Sequence, residues 1–251
     1  MLHWSTKRDA ADATPVASAS AEGGAMTRAG PLRWPVGAGW LILVGGGEWE
    51  RGETAEIDDR LLARADFSRP IAVLPTASGS LIAGEPLLEY YADLGGPHGY
   101  VVPILGATDA RDEETCRLLA EAGLIVVGDG DALVLTRTLR ASPALEGMME
   151  AFASGALVVG MGAGAMPFGE WLVVTGAPTG GERGWGWLSA AVVVPHFAGS
   201  ARQPDLQAAL RMRPGVMGIG IPKGTALALG PEGQVETWGE GEVTVVVARS
   251  R

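Results

Sequence analysis

Cysteine, histidine and lysine are scarce in this chain. Its 251 residues include one cysteine, Cys116, and three histidines. A single cysteine excludes an intrachain disulfide framework and a cysteine-based zinc site, and so few histidines argue against a His-rich metal site. We therefore expect a protein of a reducing, cytoplasmic setting that holds no metal and no organic cofactor.

Long apolar runs and an excess of basic residues are also missing. No apolar stretch reaches the roughly 18 residues that a membrane span requires, and the first residues lack the apolar segment of a secretory signal. Asp and Glu number 29 against 19 Lys and Arg, so the net charge is −10, which disfavours binding to nucleic acid or anionic lipid. We expect neither as a partner, while a homodimer is compatible with the sequence.

Residues 1–34 are rich in Ala, Ser, Thr and Gly and show no sustained apolar periodicity. Such a segment cannot bury enough surface to offset the entropy lost on ordering. We expect 1–34 to be a disordered tail and 35–251 to be a single domain. Met26 lies in this tail and is a second candidate for the start of translation.

Short apolar runs alternate with amphipathic segments through much of the remaining chain. The runs lie at 40–44, 71–75, 100–105, 124–127 and 156–159, with helical patterns near 54–66, 84–94 and 112–122. Continuous Val, Ile and Leu between glycines is typical of parallel strands buried on both faces. We predict an α/β fold with a doubly wound, mostly parallel sheet flanked by helices.

The pattern changes after Trp185. Short apolar runs separated by turn residues follow at 190–194, 218–221, 225–229 and 243–247, with a helical pattern near 202–211. This spacing predicts antiparallel additions to the edge of the sheet near the C-terminus.

Four turns rich in glycine and other small residues follow predicted strands, at 45–48, 75–78, 128–131 and 160–165. In open α/β sheets, ligands bind at such carboxyl ends of strands. The fourth turn, GMGAGA, has the layout of a nucleophile elbow, but its centre is Gly162, where a Ser or Cys is expected. His196 follows the run at 190–194, where a catalytic base would stand.

Six segments in this order resemble peptidase family S51, which includes cyanophycinase and aspartyl dipeptidase and has a class I glutamine amidotransferase-like fold. The resemblance covers about 38–248. The segments are LVGGGE (43–48), VLPTAS (73–78), VGDGDALVL (127–135), GMGAGA (160–165), VPHF (194–197) and GIGIPKGTA (218–226).

The resemblance implies that the chain departs from the family at its chemistry. The family's serine falls on Gly162 and its acidic partner on Lys223, while the base is retained as His196. Backbone N–H groups at Ala163 and Gly130 resemble the family's oxyanion hole. We expect a pseudoenzyme that has lost serine hydrolysis.

We also expect the pocket to survive and to bind an acidic peptide or a small acidic metabolite, whose carboxylate Lys223 and Arg202 would hold. The residues predicted to surround it are Gly46, Gly47, Gly130, Asp131, Met161, Gly162, Ala163, His196 and Lys223.

Three other interpretations remain open. The chain is an active hydrolase of acidic peptides if an unrecognised nucleophile has taken over, and the candidates are Thr76, Ser78, Ser80, Ser189 and Ser200. The turn at 160–165 also satisfies the G-x-G-x-x-A pattern of dinucleotide binding, although Glu182 does not end a strand as the ribose-binding residue should. A structural or partner-docking role without a ligand is the third.

Overall fold

A computed structural model describes residues 3–4, 25–173, 181–199, 206–207, 210–211 and 215–247. The expected helix near 202–211 and Arg202 thus fall largely or wholly outside the described residues.

Five α-helices and fifteen strands lie entirely within the described residues, and residues 206–207 and 210–211 are also helical. The helices are α1 (Ala55–Leu62), α2 (Glu85–Asp93), α3 (Glu113–Glu121), α4 (Ala132–Leu139) and α5 (Pro143–Ala153). The first eight strands are β1 (His3–Trp4), β2 (Met26–Ala29), β3 (Leu32–Pro35), β4 (Trp40–Val44), β5 (Ile71–Leu74), β6 (Gly99–Val101), β7 (Leu124–Val127) and β8 (Leu157–Met161). The others are β9 (Trp171–Leu172), β10 (Glu182–Arg183), β11 (Ala191–Val194), β12 (Met217–Gly220), β13 (Thr225–Leu229), β14 (Val235–Gly239) and β15 (Thr244–Val247).

The main sheet has seven strands in the order β14-β13-β4-β8-β7-β5-β6. The five strands from β4 to β6 in this order are parallel, and β13 and β14 extend the edge beyond β4 as an antiparallel pair. The predicted doubly wound, mostly parallel sheet with antiparallel additions is therefore confirmed. The strand expected at 100–105 is shorter because Pro103, which has no backbone N–H to donate, follows closely after Val101.

Both faces of this sheet are covered, which explains the continuous apolar runs. Leu41 and Leu43 pack into one core with residues of α3, α4 and α5, whereas Ile42 and Val44 pack into a second core with residues of α1 and α2. Successive side chains of a strand point to opposite faces, so a strand buried on both must be apolar throughout.

The C-terminal strands divide between two sheets, which corrects the expectation that they all join one edge. A second sheet has the order β1-β15-β12-β11. Its strands β11 and β12 are parallel, and Val193 and Ile219 pack into the core that holds α3 to α5. This sheet carries His196 past the end of β11 and toward the first glycine-rich turn.

The expectation of a disordered tail over 1–34 is wrong for its last residues and for His3–Trp4, which pair with β15 as β1. Strands β2 and β3 form an antiparallel hairpin, and Leu32 and Trp34 are completely buried. The indole Nε1 of Trp34 donates a hydrogen bond to the carbonyl of Gly230, at 3.1 Å. Two apolar residues at alternate positions were too few to give a visible periodicity, yet they suffice to dock the hairpin. Residues 5–24 lie outside the described residues.

Within the described ranges, no helix is long and apolar enough to cross a membrane. The same part of the chain contains no group of three His, Cys, Asp or Glu residues arranged to hold a metal ion.

Candidate active site

All four expected turns meet at the carboxyl edge of the main sheet. Strands β4, β8, β7 and β5 are consecutive neighbours, so the turns that follow them lie side by side. They surround a cavity of about 220 Å³. It is lined by Gly46, Gly47, Trp49, Val73, Pro75, Ser78, Ala83, Leu87, Gly128, Asp129, Met161 and Gly162.

Gly162 is the first residue after β8, and its φ is +54°. This left-handed conformation is costly for a residue with a side chain and is the strained geometry expected at a nucleophile elbow. A Cβ added here would overlap the carboxylate of Asp129, with Oδ1 only 2.7 Å away. Gly162 therefore fits both the backbone conformation and the limited space.

His196 reaches this turn from the second sheet. Its backbone N–H donates to the carbonyl of Gly45 at 2.8 Å, and its φ of +50° is unusual for a non-glycine residue. The imidazole packs on Gly46, where an added Cβ would lie 2.6 Å from Nδ1. Nδ1 is buried and has no hydrogen-bond partner among the described residues, so no acidic group orients the ring from that side.

Asp129 is the functional candidate that sequence reasoning missed. Its Oδ1 accepts hydrogen bonds from the backbone N–H groups of Ala163, at 2.7 Å, and Gly130, at 2.8 Å. These are the two donors predicted to form an oxyanion hole. Its Oδ2 lies 3.6 Å from Nε2 of His196. The carboxylate thus lies between the elbow, the base and the two donors.

The charge of Asp129 is stabilised by this setting. Burial raises the pKa of the carboxyl group, but the neighbouring imidazole of His196 and the N–H groups of Ala163 and Gly130 outweigh burial, so the net pKa is lowered. Asp129 is accordingly ionised at neutral pH. The side chain remains 52% exposed and accessible from the cavity.

Much of the remaining cavity wall is apolar. Trp49, Leu87 and Met161 contribute to it, and Trp49 packs against Tyr90 with ring centroids 4.9 Å apart and ring planes tilted by 45°. No Lys or Arg is among the described residues that line the cavity. The arrangement suits a small molecule with an apolar body.

Lys223 does not line this cavity, which corrects its predicted place in the pocket. It borders a separate depression together with Glu53, Glu56 and Glu240. Its neighbour Gly224 donates to the carbonyl of Gly46 at 2.8 Å, so the segment is close to the first turn in the backbone while the lysine lies among acidic residues. The acidic group facing His196 in the structure is Asp129, on a different turn.

The other predicted residues have different roles. Gly46, Gly47, Met161 and Gly162 line the cavity, and Gly130 and Ala163 bind Asp129. Asp131 does not line it: its side chain caps α4 by accepting from the N–H groups of Leu133 and Val134.

The hydroxyl candidates nearest the cavity are engaged elsewhere. Ser78 lines the cavity, but its Oγ lies 2.7 Å from the carbonyl oxygen of Pro75 and 3.0 Å from that of Ser80, and its single proton is donated to one of them. Thr76 is buried and donates to the carbonyl of Ile104. Ser200 lies outside the described residues.

The dinucleotide-binding interpretation requires an α-helix directly after the turn at 160–165, and the described residues form none there. A short 3₁₀ segment, Gly162–Phe168, follows the turn, whereas pyrophosphate binding relies on the N-terminus of an α-helix. Glu182 forms ion pairs with Arg137, at 2.9 Å, and Arg140, at 3.0 Å. The carboxylate of Glu182 is therefore engaged in ion pairs and is not available to bind a ribose.

One signal in the sequence pointed to Asp129. An acidic residue stands between two glycines directly after an apolar strand, and this position lies at the ligand-binding edge of a parallel sheet. The local pattern does not reveal that the carboxylate turns toward the neighbouring elbow.

The sheet, the elbow after β8 and the histidine at its side define an α/β protein of the class I glutamine amidotransferase-like fold. The profile of peptidase family S51 matches residues 41–235. The chain belongs to this family, and the predicted family membership is confirmed.

Curated relatives are cyanophycinases. The protein of that name from Trichormus variabilis is 28% identical over 235 residues, which is 86% of this chain and 76% of the relative. The cyanophycinase of Geminocystis herdmanii is 26% identical over 218 residues, which is 82% of this chain and 79% of the relative.

Two solved peptidase structures have a similar fold. A peptidase from an acI-B1 actinobacterium superposes with a TM-score of 0.64 at 26% identity, covering 85% of this chain and 96% of that one. A putative peptidase E from Listeria monocytogenes EGD-e gives a TM-score of 0.59 at 14% identity, covering 81% and 99%, and supports the fold alone.

Proposed function

We propose that this chain is an S51 member that does not hydrolyse peptides by a serine route and that retains its cavity as a binding site for a small molecule. The observation that carries the proposal is Asp129, whose Oδ1 occupies the two N–H donors at Ala163 and Gly130. Gly162 at the elbow presents no hydroxyl to His196, and the donors that would stabilise a peptide oxyanion already bind an internal carboxylate.

Asp129 does not replace a serine in peptide hydrolysis. Attack of a carboxylate on a peptide carbonyl would form a mixed anhydride, which is much more reactive than the amide it came from. The alternative of an active peptide hydrolase with an unrecognised nucleophile therefore gains no support from Asp129, and the hydroxyl of Ser78 is engaged by nearby backbone carbonyls.

The charged groups around the cavity also indicate which kind of ligand it binds. The sequence predicted an acidic ligand because it placed Lys223 at the pocket. With Asp129 on the cavity wall and Lys223 in another depression, the charges disfavour an anionic ligand and favour one that is neutral or cationic where it faces Asp129 and apolar where it meets Trp49 and Leu87.

The test is a hydrolysis assay with aspartyl dipeptides and cyanophycin, using the Trichormus variabilis cyanophycinase as the positive control for cyanophycin. We expect the wild-type chain and its His196→Ala variant to release product at the same background rate. Turnover by the wild type that disappears in His196→Ala would overturn the proposal, because it would show that the retained base serves an active peptidase.

A further inference from the structure

We propose that Asp129 is itself a nucleophile, and that the cavity in front of it accepts a small apolar molecule bearing a halide or a similar leaving group on a saturated carbon. This activity goes beyond the proposed function, since it concerns a different bond in the same cavity.

The first argument is position. A side chain built on Gly162 would occupy the space that the carboxylate of Asp129 now fills. The carboxylate thus stands where an elbow normally presents its nucleophile, next to His196 and facing the cavity. It is not needed to cap the following helix, because Asp131 does that.

The second argument is that the two carboxylate oxygens differ. Oδ1 accepts two backbone hydrogen bonds, whereas Oδ2 accepts no backbone hydrogen bond from the described residues and has Nε2 of His196 beside it, at 3.6 Å. Oδ2 is therefore the less constrained oxygen and the one that attacks. Oδ1 is already held where negative charge would develop if the carboxylate were esterified and then attacked by water.

The chemistry has two steps. Oδ2 forms a bond to the saturated carbon, and the carbon–halogen bond breaks with its electron pair leaving as halide. Water then loses a proton to Nε2 of His196 and attacks Cγ of Asp129, placing charge on Oδ1. The ester bond to Oδ2 breaks, and the leaving alkoxide takes the proton from His196. The sum is alkyl halide plus water giving alcohol, halide and a proton.

The lining explains the choice of leaving group. No side-chain acid other than Asp129 is among the described residues that line the cavity, and the hydroxyl of Ser78 is engaged. In the first step Nε2 of His196 must stay unprotonated to serve as the base of the second, so a group that needs protonation to depart, such as an alkoxide or amide, has no donor in that step. A halide departs as a stable anion, and the apolar wall accepts the alkyl chain.

The two steps should differ in rate. Formation of the ester needs only the ionised carboxylate. Its hydrolysis needs His196 as a base, and Nδ1 of that ring is unpartnered, so the base is poorly oriented. We therefore expect the alkyl ester on Asp129 to accumulate.

The experiment uses 1-bromobutane with the full chain in ¹⁸O-labelled water, following bromide release and the mass of the peptide that contains Asp129. The wild type should show a butyl ester on this peptide and, after turnover, ¹⁸O in the Asp129 carboxylate. Asp129→Ala should lower bromide release by about 100-fold or more. Asp93→Asn, which removes an exposed carboxylate at the end of α2, is the matched control and should behave as the wild type.

His196→Ala separates the two steps: it should retain the ester and lose the ¹⁸O label. The proposal is wrong if the wild type forms no ester and takes up no label at Asp129, and this result does not depend on any variant folding. It is also wrong if butanol forms with no label in Asp129, since water then attacks the substrate directly. Either failure leaves the absence of peptide hydrolysis untouched, so the two proposals fail separately.

Discussion

At the scale of single residues, the carboxylate of Asp129 fills the volume that a side chain at position 162 would need. The elbow keeps a left-handed φ of +54°, and the carboxylate of Asp129 fills the volume beside it. Restoring a serine therefore meets two obstacles, a backbone conformation unfavourable to side chains and a collision with a charged group. Changing Lys223 to an acid would not help, because Lys223 lies in another depression.

Gly162→Ser should lower the free energy of unfolding by about 1–3 kcal/mol from backbone strain, and by more from the clash. Gly199→Ser is the matched control, since Gly199 has a similar φ of +58° and open space around it. In urea unfolding, Gly162→Ser should cost more than Gly199→Ser, and adding Asp129→Gly should relieve the excess. Equal costs would mean that Asp129 does not occupy the space beside the elbow.

At the scale of elements, a buried carboxylate joins α1 to α2. Asp58 accepts hydrogen bonds from the hydroxyls of Thr54, at 2.7 Å, and of Tyr90 and Tyr91, both at 2.9 Å. Burial raises its pKa above 3.8, although the three hydroxyls oppose the rise. Tyr90 also packs against Trp49, so this network supports the apolar wall of the cavity.

The raised pKa gives a signed prediction. Because the folded state holds the Asp58 proton more tightly than the unfolded state, the stabilisation is complete below the unfolded pKa and is lost as pH rises through the folded one. Because asparagine does not ionise, the Asp58→Asn variant does not lose this stabilisation as pH rises. The stability of Asp58→Asn relative to wild type should therefore increase from about pH 4 to pH 7 in urea titrations, whereas Asp93→Asn should show no such rise. A relative stability that falls over this range would contradict the assignment.

At the scale of the whole molecule, the N-terminal hairpin is part of the fold. Trp34 is completely buried and bonds to Gly230, and the backbone carbonyl of Arg33 accepts from the N–H of Ser189 at 3.1 Å. The hairpin therefore joins segments that are distant in the sequence. A chain beginning at Ala25 keeps these contacts, and one beginning at Val36 loses them.

Trp34→Ala should lower the free energy of unfolding by about 3–5 kcal/mol, because it leaves a large cavity in the core. Arg33→Ala, on the same strand but exposed, should change it by no more than about 0.5 kcal/mol. Chemical denaturation of both variants decides the matter. Equal, small effects would show that the hairpin is not docked.

The sequence by itself determined the sheet and the places where ligands meet it. Runs such as 40–44 and 124–127 must lie between two apolar layers, since every position is apolar. The turns at their ends, the glycine at the elbow and His196 after β11 followed from the same local patterns.

Only the tertiary structure decided what those turns hold. The pattern Gly-Asp-Gly is the same whether its carboxylate faces water or the next turn, and the position of Asp129 depends on β7 and β8 being neighbours. Lys223 follows a matching segment, yet its side chain lies with three glutamates. Residues 26–35 carry too few apolar positions to form a periodic pattern, and their burial depends on a surface built from residues far along the chain. Local patterns record which backbone forms, whereas the partner of a charged or isolated apolar side chain depends on contacts between segments that are distant in sequence.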